Sequence, residues 1–184
     1  MRHLIECARR EPRLVIGLDF AFSFPRWFVE ELGACSAREV WEAVARSGED
    51  WLERCPPPFW GQPCKPRPAR VEGRNDWRST ELSSLPVAGC RPKSVFQIGG
   101  AGSVGTGSLR GMPLLRELQD AGIAVWPFDP ARLPMAVEIY PRYLTGAVNK
   151  SSAGARSLYL QSRYARECRG VLDRAAASED AFDA

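Results

Sequence analysis

Histidine is almost missing from this chain. Its one copy, His3, stands near the N-terminus, where chains usually fray. That scarcity argues against serine or cysteine catalysis with a histidine base, and against zinc centres built from His and Cys. The six cysteines (Cys7, Cys35, Cys55, Cys64, Cys90 and Cys168) contain no Cys-x-x-Cys pair. Free thiols in a reducing cytosol fit that scatter, although Cys55 and Cys64 flank one Pro-rich loop and could meet. No secretory apolar segment follows Met1, and no run approaches membrane-spanning length. A cytoplasmic protein without a membrane partner is the expectation. Lysine is also scarce, at Lys65, Lys93 and Lys150 only, so nearly all of the 25 basic residues are arginine. The plain reading of that bias is genomic base composition rather than function. A net charge of +3 permits a nucleic-acid partner without demanding one.

At 184 residues with 45% hydrophobic content, the expectation is a single domain over 1–184 with an inserted arm at about 55–92. Residues 1–12 read as the end of a helix, with Leu4, Ile5 and Ala8 on one side. Leu14 to Phe24 reads as a buried strand that Pro25 stops. Ser36 and Glu39 form a capping box ahead of a helix that presents Val40, Trp41 and Val44 on one face. Trp51 and Leu52 suggest a short further helix. Six prolines between Cys55 and Pro68 break regular structure, interleaved with Phe59, Trp60, Lys65 and Arg67. The arm reads either as an aromatic and basic surface for a nucleic-acid backbone, or as a loop packed down by Phe59 and Trp60. Ser94–Ile98 reads as a strand and Gly99–Gly111 as a glycine-rich loop. Pro113 is expected to start a helix that ends at Gly122. Strands at 123–128 and around Glu138 follow, then two arginine-bearing helices. The alternation makes the class α/β.

Three acids stand out on apolar elements: Asp19 and Glu138 within strands, and Asp183, with Asp180, at the start of a helix. A buried carboxylate needs an ion, a hydrogen bond or a metal. Carboxylates brought together from distant strand ends suit Mg²⁺ or Mn²⁺. Two such ions about 4 Å apart activate a water in phosphodiester hydrolysis. Each acid has a plainer alternative. Asp19 could cap a helix or pair with Arg142. Glu138 could pair with Arg142 or Arg156. Asp180 and Asp183 could be solvated.

Gly100-Ala101-Gly102-Ser103-Val104-Gly105, with Asp129 after the next strand, matches a dinucleotide fingerprint. A helix starting only at Pro113 would leave the third glycine away from the helix N-terminus, so no nicotinamide or flavin cofactor is expected. The loop could still hold an anion in a nest of backbone N–H groups. No Walker lysine is present.

Several segments together resemble domain-of-unknown-function family 429. They are Gly17–Pro25, Phe59-Trp60-Gly61, Lys93–Pro113, Trp126-Pro127-Phe128-Asp129, Glu138-Ile139-Tyr140-Pro141-Arg142 and Asp180-Ala181-Phe182-Asp183-Ala184. The resemblance implies a ribonuclease H-like mixed sheet flanked by helices and a divalent-metal-dependent nuclease. Asp19, Glu138 and Asp183 would be catalytic metal ligands, with Asp180 in support. Arg110, Lys150 and Arg156 are candidates for phosphate contact. The sequence departs from that family in lacking a first strand with Gly-x-Asp and a continued last helix. It looks clipped at both ends, with the first metal-binding carboxylate absent. A non-catalytic nucleic-acid-binding domain of the same fold is the alternative, and a nucleotide-handling phosphotransferase a third.

Overall fold

The computed structural model describes residues 1–87, 92–100 and 102–183. Cys90, Ala101 and Ala184, which figure in the readings above, lie outside the described residues. The chain divides into two compact units: Met1–Leu85 with Arg91–Ile139, and Pro86–Cys90 with Tyr140–Ala184.

The first unit contains α1 (Arg2–Arg10), β1 (Val15–Leu18), α2 (Arg26–Glu31), α3 (Ala37–Arg54), α4 (Ser79–Ser83), α5 (Gly105–Asp120), β2 (Ala124–Trp126) and β3 (Met135–Glu138). The strands lie in the order β1-β3-β2 and are parallel throughout, not mixed. This is an α/β architecture. Val15 to Leu18 stand opposite Met135 to Glu138, so the C-terminal ends of β1 and β3 are neighbours. Strand β1 is shorter than its apolar run. It ends at Leu18, and the exposed Asp19 begins the turn beyond it.

Helix α3 starts where Ser36 accepts from the Glu39 N–H at 3.3 Å. The Glu39 carboxylate accepts from Cys35, one residue before the expected capping-box partner. Val40, Trp41 and Val44 are all within 2% of full burial. Trp51 and Leu52 belong to this same helix, which runs on to Arg54. Its main partner is α5. The two helices meet closely at Gly48, where a Cβ would lie in ordinary contact, 3.6 Å from the Leu109 carbonyl oxygen. Met112, Leu115 and Leu118 of α5 are fully buried, each contributing about 2 kcal/mol.

Two expectations fail at α5. The helix opens at Gly105, with Pro113 inside it. A Cβ on Gly105 would meet the Gln97 carbonyl oxygen at 2.7 Å, so only glycine admits this start so close to the preceding segment. Ser94–Ile98 is a turn that meets Trp60 in a single parallel bridge at Gln97, not a sheet strand. Gly122, at φ +84°, ends the helical segment as expected, with the Ile123 N–H donating back to Leu118.

An aromatic cluster of Phe24, Phe28, Trp51, Phe59 and Phe96 fills the core beside α2 and α3. Phe59 is 2% exposed, so the proline-rich arm is packed down at its root.

The second unit holds α6 (Arg142–Thr145), α7 (Ala153–Arg163), α8 (Arg169–Ala176) and α9 (Glu179–Asp183). Helix α7 packs on α8, and α8 on α9. Leu160 and Phe182 are its main buried apolar side chains, and Tyr159 meets Phe182 edge to face at 5.5 Å. No helix among the described residues is long and apolar enough to cross a membrane.

Candidate functional site

Open parallel sheets place their sites beyond the C-terminal strand ends. Here those ends carry Asp19 and Glu138 from adjacent strands, both in the first unit. That much of the expected juxtaposition is present. Glu138, however, is paired with neither Arg142 nor Arg156. Its partner is Arg78, from the arm.

The Arg78 guanidinium grips Glu138 with two nitrogens. Nη1 donates to Oε2 at 2.7 Å and Nη2 to Oε1 at 2.5 Å. The Phe22 N–H donates to Oε2 at 3.0 Å. Arg78 also donates from Nε and Nη2 to Glu81 Oε1, at 3.1 and 2.7 Å. The second Glu81 oxygen accepts from the Arg78 backbone N–H at the start of α4. Arg78 and Glu81 side chains are 15% and 7% exposed. Burial pulls the guanidinium down, but the bond and charge of Glu138, then of Glu81, outweigh it. The pair holds Arg78 above its ordinary range.

As placed here, Glu138 is committed to Arg78 and the Phe22 N–H rather than to a metal ion. Both oxygens of Glu138 are occupied by donors, and Asp19 is exposed. Among the described residues no group of three or more His, Cys, Asp or Glu side chains could hold a metal ion. The other candidates are placed as follows. Asp183 accepts an ion pair from Lys150 within the second unit. Asp180 is exposed at the start of the five-residue α9. Arg156 is 6% exposed and donates Nε to the Ala176 carbonyl at 2.9 Å and Nη1 to the Lys150 carbonyl. It ties its own unit together and turns no guanidinium to solvent. Arg110 pairs with Glu49 at 3.0 Å on the surface.

The second locus is the arm, and here the structure adds residues that the sequence reading did not single out. The arm walls a cleft of about 900 Å³ with Trp60, Arg67, Arg70, Arg74, Trp77 and Lys93 among its lining. Its shape is built by backbone and indole contacts. Trp60 exchanges backbone hydrogen bonds with Phe96 and Ile98 at 3.0 and 2.9 Å. Gly61, at φ +101°, lies so close to Gly99 that a Cβ on either would run into the other's backbone. Trp77 Nε1 donates to the Pro92 carbonyl, and Trp27 Nε1 to the Asn75 carbonyl. Ser94 Oγ donates to the Asp76 carbonyl at 2.6 Å.

The Arg67 guanidinium stacks between the two cleft indoles, 5.2 Å from Trp60 and 4.8 Å from Trp77, and its Nε donates to Asp76 at 2.7 Å. Arg74 covers Trp27 and pairs with Glu31 at 3.2 Å. Arg70 is exposed and has no ion-pair partner among the described residues. Lys93 brings its ammonium over the glycine-rich loop, where a Cβ on Gly102 would meet Nζ at 2.7 Å. Of the four lining cations Arg67 is paired with Asp76 and Arg74 with Glu31, so the positive charge the lining offers centres on Arg70. The sequence signal for this cleft was the interleaving of Trp with Arg across 60–77. The pairing of positions so far apart carries no periodicity from which to read it.

The dinucleotide fingerprint now fails for a different reason from the one expected. Gly105 does open a helix, but the described residues before it form no sheet strand. Asp129 accepts from Gln119 and from the Val125 N–H, both at 2.8 Å, and so closes the turn after β2. The five described cysteines are free thiols, including buried Cys55 and exposed Cys64.

Comparison with protein-family models, with curated proteins and with solved structures finds no match.

Proposed function

We propose that this chain is a nucleic-acid-binding α/β domain that takes a single strand along the cleft of its proline-rich arm. The observation that carries the reading is the cleft itself: four cations and two indoles around about 900 Å³, on a wall fixed by backbone bonds. Cations along a groove follow phosphates, and aromatic faces accept bases of any sequence. A preformed wall lowers the ordering cost of binding. Arg70, exposed on the wall, is suited to a phosphate oxygen. Trp60 and Trp77 hold the Arg67 guanidinium between their half-buried rings, so a base stacks on either indole by displacing Arg67 or by using the opposite ring face.

The test is fluorescence anisotropy with a labelled single-stranded oligonucleotide in EDTA. Binding that weakens steeply with salt, and weakens again in Arg70→Ala, supports the reading. No binding at low salt overturns it.

A second reading, metal-dependent phosphodiester cleavage on a ribonuclease H-like scaffold, draws on Asp19 and Glu138 ending neighbouring parallel strands. It requires Arg78 to release Glu138. Cleavage of the same oligonucleotide with Mn²⁺, absent in EDTA and in Asp19→Asn, would favour it.

A further inference from the structure

We propose that Arg78 is the resident cation of the strand-end site, standing on Glu138 where the nuclease reading would put a divalent metal. The guanidinium meets the carboxylate in fork geometry, with one nitrogen on each oxygen. The Phe22 N–H takes a further lone pair of Oε2. Glu138 therefore enters the site already neutralised and already coordinated. A divalent ion would have to displace the guanidinium and leave it beside the new charge, with only Glu81 to hold it. That is costly for a side chain that is 15% exposed.

The placement also explains why α4 forms in an otherwise irregular arm. Glu81 bonds both the backbone N–H and the guanidinium of Arg78, so the short helix and the ion pair set each other's geometry. Arg78 is thus a positioning residue. It fixes the arm to the end of β3, independently of what the arm's cleft binds.

The experiment has two arms. Free Mn²⁺ is followed by electron paramagnetic resonance as the wild-type chain is titrated to millimolar metal. Urea midpoints are then measured for Arg78→Gln, Glu138→Gln, the double variant and Arg78→Lys. The expected result is an undiminished Mn²⁺ signal with the wild type. Both single variants have lowered midpoints, and the double variant falls no further than the worse single. Arg78→Lys recovers only part, because an ammonium cannot fork. A stoichiometric Mn²⁺ site in the wild type that Glu138→Gln abolishes overturns the proposal, and so do additive midpoint losses. Should the variants not fold, the wild-type titration alone decides. Oligonucleotide binding does not enter either readout, so this proposal and the nucleic-acid reading fail separately.

Discussion

Arg78 joins two carboxylates of the first unit, Glu81 and Glu138, through one largely buried guanidinium. Its removal leaves two carboxylates, Glu81 and Glu138, facing each other without their shared cation. Breaking such a largely buried pair costs about 3 kcal/mol, so Arg78→Ala is expected to lower the urea unfolding free energy by that amount. A loss within about 0.5 kcal/mol, the range of ordinary surface changes, would contradict the pairing. Gly99 makes a different demand, for space. A Cβ there has no room beside the Gly61 backbone, and Gly99→Ala should cost about 1–3 kcal/mol by overpacking, checked by thermal unfolding. The surface pairs give a weaker, pH-dependent term. The Arg110 bond holds Glu49 below the usual carboxylate range, and the Arg38 bond does the same for Asp120. A depressed folded value stabilises above the unfolded value of about 4, and that contribution is lost as pH falls through the folded value. Wild-type urea midpoints should therefore drop more between about pH 5 and pH 3 than those of Glu49→Gln with Asp120→Asn, by a small margin because the groups are exposed.

At the scale of elements, the periodic helices and the three sheet strands were readable, whereas the all-parallel pairing, expected as a mixed sheet, and the junctions were not. Helix α3 followed from Val40, Trp41 and Val44, because a 3.6-residue period survives in the sequence whatever packs on it. The start of α5 did not. The six glycines of Gly99–Gly111 read as loop, yet Gly105 and Gly111 are small because other groups press on them: the Gln97 carbonyl on one, the Phe20 ring at 2.6 Å on the other. Glycine demanded by packing looks in sequence like glycine demanded by a turn. Pro113 within the helix leaves the Leu109 carbonyl without its i+4 donor, and that oxygen faces Gly48. Pro113→Ala restores the donor and should raise stability by about 1–3 kcal/mol, seen as a higher melting temperature. A helix that began at Pro113 would gain nothing from the change. The strand-end site was half legible for a related reason. Asp19 and Glu138 could be placed at strand ends from their apolar flanks. The Arg78 partner lies in an arm with no period, so its contact could be found only in three dimensions.

For the whole molecule, the account is of a small parallel α/β unit whose arm supplies a basic, indole-walled cleft, with a helical unit following in the chain. Metal chemistry is the first expectation from the sequence, because a carboxylate on a strand looks the same whether a cation from outside or an arginine from the same chain neutralises it. Arg78 favours the second. Binding should then be electrostatic, metal-independent and centred on the arm. Each phosphate contact on a single strand contributes about −0.7 to the slope of log K against log salt, so Arg70→Ala should flatten the slope by about 0.7. Trp60→Ala should cost about 1–3 kcal/mol of binding across oligonucleotide sequences. The most direct measurement is the salt dependence of single-strand binding by the wild type and by Arg70→Ala, each in EDTA and in Mn²⁺. The account predicts salt-sensitive affinity that is the same in both media and a shallower slope for the variant. Affinity that appears only with Mn²⁺, or a slope that ignores Arg70, would contradict it.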